Sequence, residues 1–332
     1  VTVVVVTHHS AHCLAGLNAL LQHCPHVIIS DNASNDGTAT QAQTCWPHAT
    51  VLAHPENLGF GAANNRALAL VRTPLAFLLN PDCEITLTSL MALVAHAQSM
   101  PEAALLAPQL VDARGKPEVN YRWPHSLWTS RGPQAQGAAC VGFVCGAAML
   151  FRMARFQSTG FFDERFFLYY EDDDLCLRLF KARLPLVVVP DVVALHRSRG
   201  SVKGGSPWKS EYVRGYHHAQ SKLIFEEKHG SPQQALRDRR RLLWVTALAL
   251  PLRAILFSPK LLARMVGRWM GLLHWSPNDT VRVPHLESQR IDPECSGVCF
   301  LVLVTGLAGG LCLAVFGTDG DGFVAHEALA KP

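Results

Sequence analysis

The stretch Val27-Ile28-Ile29-Ser30-Asp31-Asn32-Ala33-Ser34-Asn35-Asp36-Gly37 decides the fold. Residues 27–30 read as a short strand. The polar cluster after them reads as a loop and then a helix start, because Asn, Asp, Ser and Gly satisfy turn and cap geometry. Residues 1–7 on the N-terminal side form a continuous β-branched run, the pattern of a strand buried on both faces. Residues 11–23 place Leu14, Leu17, Leu20 and Leu21 at helical spacing. On the C-terminal side, Thr50–Ala53 reads as a third strand, 60–71 as a helix and Leu75–Leu79 as a fourth strand. This alternation predicts an α/β fold with a mostly parallel central sheet and helices on both faces. Ligands of open sheets of this kind bind at the carboxyl ends of the strands. Polar clusters follow strands one, two and four, so those loops are the expected site.

Beyond Leu110 the pattern loosens. Residues 112–137 are polar and rich in Trp and Pro, read as a hairpin and a loop, and 141–151 is apolar and strand-like. Residues 171–182 read as a helix with Leu175, Leu177 and Leu179 inward, 186–189 and 192–195 as two short strands divided by Pro190-Asp191, and Pro207–His229 as a long amphipathic helix.

The chain has 332 residues, enough for one sizeable α/β domain with an appendage. Its net charge of +4 is too small to argue for a nucleic-acid partner, but the distribution is uneven. Residues 231–290 hold ten Lys/Arg against three Asp/Glu, which leaves the remainder at −3. A basic segment on a mildly acidic body points to an anionic or membrane surface beside that segment. The ten cysteines are scattered through apolar runs without a CxxC pair, which suits reduced buried thiols better than a disulfide framework or a zinc site. No basic n-region or cleavage site precedes the first strand, so no signal peptide is expected in these residues.

Three acidic clusters carry the chemistry: Asp31 after strand two, Asn80-Pro81-Asp82 after strand four, and Glu171-Asp172-Asp173-Asp174 opening a helix. Each alone has an ordinary explanation, since acids favour helix N-termini and a lone Asp after a strand is often a cap. Together they match a demanding task. A nucleotide diphosphate needs a divalent cation held by one or two carboxylates, and an acceptor hydroxyl needs a general base. His196, at the end of the last core strand and before a glycine-bearing stretch, is a candidate metal ligand or an ordinary surface histidine.

Six motifs in order then carry a resemblance: Asp31 to Gly37; Glu56-Asn57-Leu58-Gly59-Phe60-Gly61-Ala62-Ala63-Asn64-Asn65-Arg66; Leu79-Asn80-Pro81-Asp82; Gly160-Phe161-Phe162-Asp163-Glu164-Arg165-Phe166-Phe167; Tyr170-Glu171-Asp172-Asp173-Asp174-Leu175-Cys176-Leu177-Arg178; and Pro190-Asp191 followed by His196. Over about residues 1–230 the chain resembles glycosyltransferase family 2, with the GT-A fold, in its bacterial rhamnosyltransferase-like branch. The resemblance implies an inverting, metal-dependent glycosyltransferase that moves a sugar, L-rhamnose among the candidates, from a nucleotide-diphosphate donor to a glycan or lipid-linked acceptor in cell-surface polysaccharide synthesis. It implies that Thr7, Asp31, Asn57, Gly59, Asn64, Asn80 and Asp82 bind the donor. Asp82 and His196 would hold Mn²⁺ or Mg²⁺, Asp172 would be the general base, and Glu171 would position the base or the acceptor. His8-His9 stands where the family usually has Tyr-Asn, and Asp173 where an apolar residue is usual. The rival reading is a non-catalytic GT-A scaffold in a membrane polysaccharide-assembly complex. A dinucleotide-binding dehydrogenase is disfavoured because no Gly-x-Gly-x-x-Gly follows the first strand.

The organisation expected is a catalytic domain over 1–230, basic helices over 231–290, and a tail over 291–332. Residues 242–257 are apolar but interrupted by Pro251 and Arg253, and read either as interfacial helices or as an amphipathic helix packed on the body. Residues 298–316 carry no charge over nineteen residues. They read as a membrane-spanning helix, with a buried core helix as the alternative, and Gly306 and Gly310 supply a GxxxG pair. The basic segment ahead of them would set the catalytic domain at the cytoplasmic face of a bacterial inner membrane.

Overall fold

The computed structural model describes residues 1–123, 133–197, 207–255, 258–277, 300–305, 311–319 and 322–328. In chain order its elements are β1 (Thr2–Thr7), α1 (Leu14–Leu21), β2 (Val27–Asp31), α2 (Thr38–Cys45), β3 (Thr50–Ala53), α3 (Phe60–Leu68), β4 (Leu75–Leu79), β5 (Cys83–Glu84), α4 (Leu87–Ser99) and β6 (Leu105–Val111). They continue with β7 (Pro117–Glu118), β8 (Tyr121–Arg122), β9 (Ala139–Val141), β10 (Phe143–Val144), β11 (Ala148–Arg152), α5 (Glu171–Lys181), β12 (Leu186–His196), α6 (Pro207–His229), α7 (Pro232–Ile255) and α8 (Pro259–His274). Three further strands, β13 (Phe300–Thr305), β14 (Leu311–Asp319) and β15 (Gly322–Ala328), follow.

The main sheet runs β3-β2-β1-β4-β11-β6-β12-β5, with β7 added to β6 and β9 to β12. β1, β2, β3 and β4 are parallel, and β12 is parallel to β6. β11 enters between β4 and β6 and is antiparallel to both. The result is a mixed, mostly parallel α/β sheet with helices on both faces. Alternation along the strands feeds two cores: Val3, Val5 and Phe77 join Leu17, Leu21, Trp46 and Leu90 on one face, while Val4, Ala76 and Leu78 join Leu68, Leu175 and Leu179 on the other. At about 25 cal/mol per Å² of buried apolar surface, these two layers dominate the stability of the body.

Several elements differ from the sequence reading. Residues 141–151 are three short strands rather than one, each paired with a different partner. β12 runs through Pro190-Asp191 as one strand, and its register against β6 shifts between Val189 and Val193. Such an irregularity is where a sheet tolerates a residue without an N–H. Leu177 faces away from Leu175 and Leu179 and packs onto a third cluster, formed by Phe166, Leu223, Phe225, Leu272 and Trp275. That follows from the 100° step of the helix, which cannot bring i, i+2 and i+4 to one face. α6, α7 and α8 meet the body at this cluster.

The spanning helix expected over 298–316 is corrected. Residues 300–305 and 311–319 are strands of a three-stranded antiparallel sheet with 322–328. Residues 298–299 and the glycine pair in 306–310 lie outside the described residues. Among the described residues no helix is long and apolar enough to cross a membrane. An apolar run rich in Val and Leu suits a strand as well as a helix, and hydropathy alone does not separate the two.

Candidate active site

The expected site residues lie at one end of the sheet. Thr7 closes β1 and Asp31 closes β2. The Thr7 hydroxyl donates to Asp31 Oδ1 at 2.8 Å, the Ser34 hydroxyl to the same oxygen at 2.6 Å, and the Ser34 N–H to Oδ2 at 3.1 Å. Asp31 is buried, so these donors replace the water it gives up.

The next loop is organised by Asn32, which sequence reasoning passed over. Its amide donates to Asn57 Oδ1 at 2.7 Å and to the Gly59 carbonyl at 3.2 Å, and its Oδ1 accepts from the Leu58 N–H at 2.8 Å. Asn57 Oδ1 also accepts from the Gly59 N–H at 3.0 Å, and its amide meets His8 Nε2 at 3.3 Å. His8, just past β1, thus braces this loop, while the His9 N–H donates to the Ser34 hydroxyl. Gly59 sits at φ +85°, where a Cβ would collide with the Phe167 carbonyl. That position requires glycine. Asn64 is buried on α3, and its amide donates to the Phe60 carbonyl at 2.9 Å.

Asn80 and Asp82 follow β4 in a tight turn, with the Cys83 N–H donating to the Asn80 carbonyl at 3.0 Å. His196 closes β12 directly opposite Cys83 of β5. Nε2 of His196 lies 3.9 Å from Asp82 Oδ1, and Nδ1 lies 3.9 Å from Glu118 Oε2. Ligand atoms of Asp82, Cys83 and His196 all fall within 4.8 Å of one another. A carboxylate oxygen and an imidazole nitrogen this close could share a divalent cation, the carboxylate favouring a hard ion such as Mn²⁺. Cys83 is a poor third ligand for a hard cation, which prefers oxygen; burial, then the Asp82 charge, push its thiol well above the usual range.

The third acidic cluster opens α5 and is mostly buried. Asp172 Oδ2 accepts from the Gly146 N–H at 3.1 Å, and its Oδ1 from the Asp173 N–H at 3.0 Å. Glu171 is buried, and its Oε2 has no hydrogen-bond partner. Burial first, and then the Asp172 charge, raise the Glu171 carboxyl well above the usual range. Burial raises Asp172 too, against the pull of the Gly146 and Asp173 N–H groups and of Arg122. Asp173 pairs with Arg122 at 2.7 Å, yet burial and the Asp172 charge still push it up to about 7. The Arg122 guanidinium in turn lies 4.1 Å from the Phe143 ring centroid. Asp174 braces the helix: Oδ1 meets Lys228 at 2.6 Å and His229 at 2.8 Å, and Oδ2 meets Arg178 at 2.8 Å. Burial opposes its ionisation, but His229, Arg178 and Lys228 together hold its carboxyl below the usual range. Four adjacent acids are therefore sorted into a braced anion at Asp174, a carboxyl paired with Arg122 at Asp173, a partly buried Asp172 held by backbone N–H groups, and a buried Glu171. The two residues ahead of them, Tyr169 and Tyr170, both have positive φ, at 70° and 67°. Non-glycine residues occupy that region at a cost of roughly 1–2 kcal/mol each, a strain found at functional sites.

Backbone contacts tie the clusters together. The Asn80 N–H donates to the Ala147 carbonyl at 2.9 Å, next to the Gly146 that binds Asp172. The Asn120 amide donates to Glu118 Oε2 at 3.2 Å, and the Asn120 carbonyl accepts from the Cys145 N–H at 2.9 Å. Glu118, Asn120 and Arg122 thus link His196 to Asp172 and Asp173. They sit in the stretch read from sequence only as a hairpin, and no local signal marked them.

The loops at this end of the sheet thus bring a carboxylate–imidazole pair close to a pair of carboxyl groups whose pKa values are raised. Residues 2–156 match the profile "Glycosyl transferase family 2". The N-terminal part of the chain thus carries a domain of glycosyltransferase family 2, and the chain is a glycosyltransferase. It is 29% identical over 306 residues to the N-acetylglucosaminyl-diphospho-decaprenol L-rhamnosyltransferase of Mycobacterium tuberculosis, covering 82% of this chain and 97% of the relative. It is 23% identical over 208 residues to the low-salt glycan biosynthesis hexosyltransferase Agl10 of Haloferax volcanii, covering 59% of this chain and 66% of the relative. Among solved structures it is similar to a mannosyltransferase from Pyrobaculum calidifontis in complex with GDP-Man and Mn²⁺. That likeness has TM-score 0.49 and 14% identity, and it covers 82% of this chain and 86% of the other.

Proposed function

We propose that this chain is an inverting glycosyltransferase that moves a sugar, L-rhamnose by its likeness to the mycobacterial relative, from a nucleotide-diphosphate donor to a lipid-linked, diphosphate-bearing acceptor in cell-surface polysaccharide synthesis. The observation that carries it is the pairing of the Asp82–His196 cluster with partly buried Asp172 through the short 145–147 segment. Thr7 and Asp31 bind the nucleoside, while Asn57, Gly59, Asn64 and Asn80 shape the donor loop. Asp82 and His196 hold a divalent cation, which when bound offsets the charge of the leaving diphosphate. Asp172 accepts the proton of the acceptor hydroxyl as that oxygen attacks the anomeric carbon from the face opposite the diphosphate. A single displacement inverts the centre and needs no covalent nucleophile. Glu171, whose carboxyl is raised by burial and by the Asp172 charge, lies beside Asp172 and positions the base or the acceptor.

We assign 1–230 as the catalytic domain, 231–290 as basic interfacial helices and 291–332 as a tail. Trp244, Leu248 and Leu252 recur every four residues along α7 and are 73%, 76% and 58% exposed. With the basic charge of 231–290, this stripe supports peripheral docking at the cytoplasmic face of a bacterial inner membrane. A non-catalytic scaffold would gain nothing from the desolvated Glu171–Asp172 pair, whose burial costs stability. The test is a thermal-shift panel of nucleotide-diphosphate sugars with and without Mn²⁺. One donor should stabilise the protein only with the metal, by RT ln(1 + [L]/Kd). Transfer from that donor should give a product of inverted anomeric configuration, and a retained configuration would overturn the reading.

A further inference from the structure

α6 and α8 cross in backbone contact. A Cβ on Gly215 would strike the Arg264 carbonyl, one on Gly267 the Tyr212 carbonyl, and one on Gly271 the Tyr216 carbonyl. Along the flank of this seam α6 presents Arg214, His218 and Lys222, four residues apart and so on one face, and α8 presents Arg264 and Arg268 at the same spacing. All four cations act on His218. His218 reaches solvent, and the surrounding protein, followed by those cations, lowers its imidazole pKa.

The carboxylates present do not neutralise this group. Glu211 pairs with Arg264 and, at 3.9 Å, with Arg214, and Glu226 pairs with Lys222 at 3.0 Å. Arg268 is half-buried, and among the described residues it has no carboxylate partner. Burial alone works against its charge, and the protein keeps a guanidinium there without an internal counter-ion.

The cations border the acidic end of α5. The His218 ring lies 5.8 Å from Tyr169 and 5.3 Å from Tyr170, centroid to centroid, and the Arg214 guanidinium lies 5.9 Å from the Tyr169 centroid. Tyr169 feels both Glu171 and Arg214, and Tyr170 both Asp173 and Arg268. The strained Tyr169-Tyr170 pair therefore lies between the acidic start of α5 and these cations. An acceptor whose hydroxyl is held at Asp172 could extend past these two rings toward the cations.

We propose that Arg268, Arg214 and Lys222, arrayed around His218, form the seat of the acceptor's diphosphate. This deepens the reading of the acceptor as a lipid-linked diphosphate and rests on it. Guanidinium groups suit the task, since they bind phosphate oxygens in bidentate fashion and are readily desolvated.

Farnesyl diphosphate, which carries a diphosphate and a prenyl chain but no sugar, is the probe. Its binding to the full chain is measured by calorimetry without a donor, which keeps the outcome separate from any failure of transfer activity. Arg268→Gln is expected to weaken binding about tenfold, and Arg214→Gln with Arg268→Gln further, as lost charge-assisted contacts do. Arg268→Lys should restore most of the affinity. Mn²⁺-dependent binding of a nucleoside diphosphate should be unchanged in all three, which also reports that the fold is intact. Unchanged farnesyl diphosphate affinity in the double variant overturns the proposal. So does loss of binding to phosphatidylglycerol vesicles with farnesyl diphosphate binding intact, since the cations would then serve the bilayer headgroups.

Discussion

Asp172 and Gly146 are joined by a hydrogen bond of 3.1 Å from the Gly146 N–H to the Asp172 carboxylate. A backbone donor cannot rotate away or titrate, so it fixes the carboxylate in one orientation and favours its charged form against the burial that opposes it. Ala147, the next residue, is bonded to Asn80 at the head of the Asn80-Pro81-Asp82 turn. The proposed base is thereby tied to the Asp82–Cys83–His196 cluster through the backbone of Gly146 and Ala147.

Replacing Asp82 by alanine should remove the carboxylate arm of the cation site while leaving β4 and β5 in place. Calorimetry of nucleoside diphosphate with and without Mn²⁺ should show that the metal no longer strengthens binding, with transfer reduced by at least about 10²-fold, the scale on which electrostatic stabilisation of a developing charge is felt. Retained metal dependence would move the cation elsewhere.

Glu171 makes stability depend on pH in a definite direction. The folded protein holds its proton more tightly than the unfolded chain does. Its contribution is therefore greatest below the unfolded pKa, near about 4.3, and declines as pH rises through the higher folded value. Asp173, raised to about 7, adds to the same decline. Glu171→Gln should therefore lose less thermal stability than the parent between pH 5 and pH 8, with the gap largest at pH 8 and roughly 2 °C per kcal/mol relieved. Thermal midpoints across that range are the check, and parallel curves for the two proteins would contradict the assignment.

The α7 stripe is read by vesicle sedimentation. Trp244→Ser with Leu248→Ser should weaken binding to vesicles containing phosphatidylglycerol by about tenfold or more, since burying each large apolar side chain is worth about 1.5–3 kcal/mol. The thermal midpoint should hold or rise, because both side chains already face solvent. Undiminished vesicle binding would remove α7 from the membrane face.

What could be read from sequence follows the range of the interactions involved. Thr50–Ala53 and Leu75–Leu79 have the same bounds in sequence and structure, because β-branched and apolar residues flanked by polar turns are local signals. The placement of the site at the carboxyl strand ends follows from the parallel order, which is also local in origin. The insertion of β11 between β4 and β6 depends on pairing across some seventy residues and leaves no mark in either strand. Asn32 looked like one more loop residue, and only the fold shows it bonded to Asn57, Leu58 and Gly59. Arg122 and Glu118 were lost in a polar stretch for the same reason. The apolar run at 298–316 was read by hydropathy, which does not separate a helix from a Val-rich hairpin.

The central claim is that Asp172 is the base, and it is tested most directly by transfer rates of Asp172→Asn and Asp173→Asn with one matched donor and acceptor. Asp172→Asn should lower turnover by about 10²–10⁴-fold with donor affinity little changed, because the base acts on the acceptor in the transition state. Asp173→Asn, which loses only the Arg122 pair, should be far milder. An inactive Asp173→Asn beside an active Asp172→Asn would place the base one residue later and contradict the account.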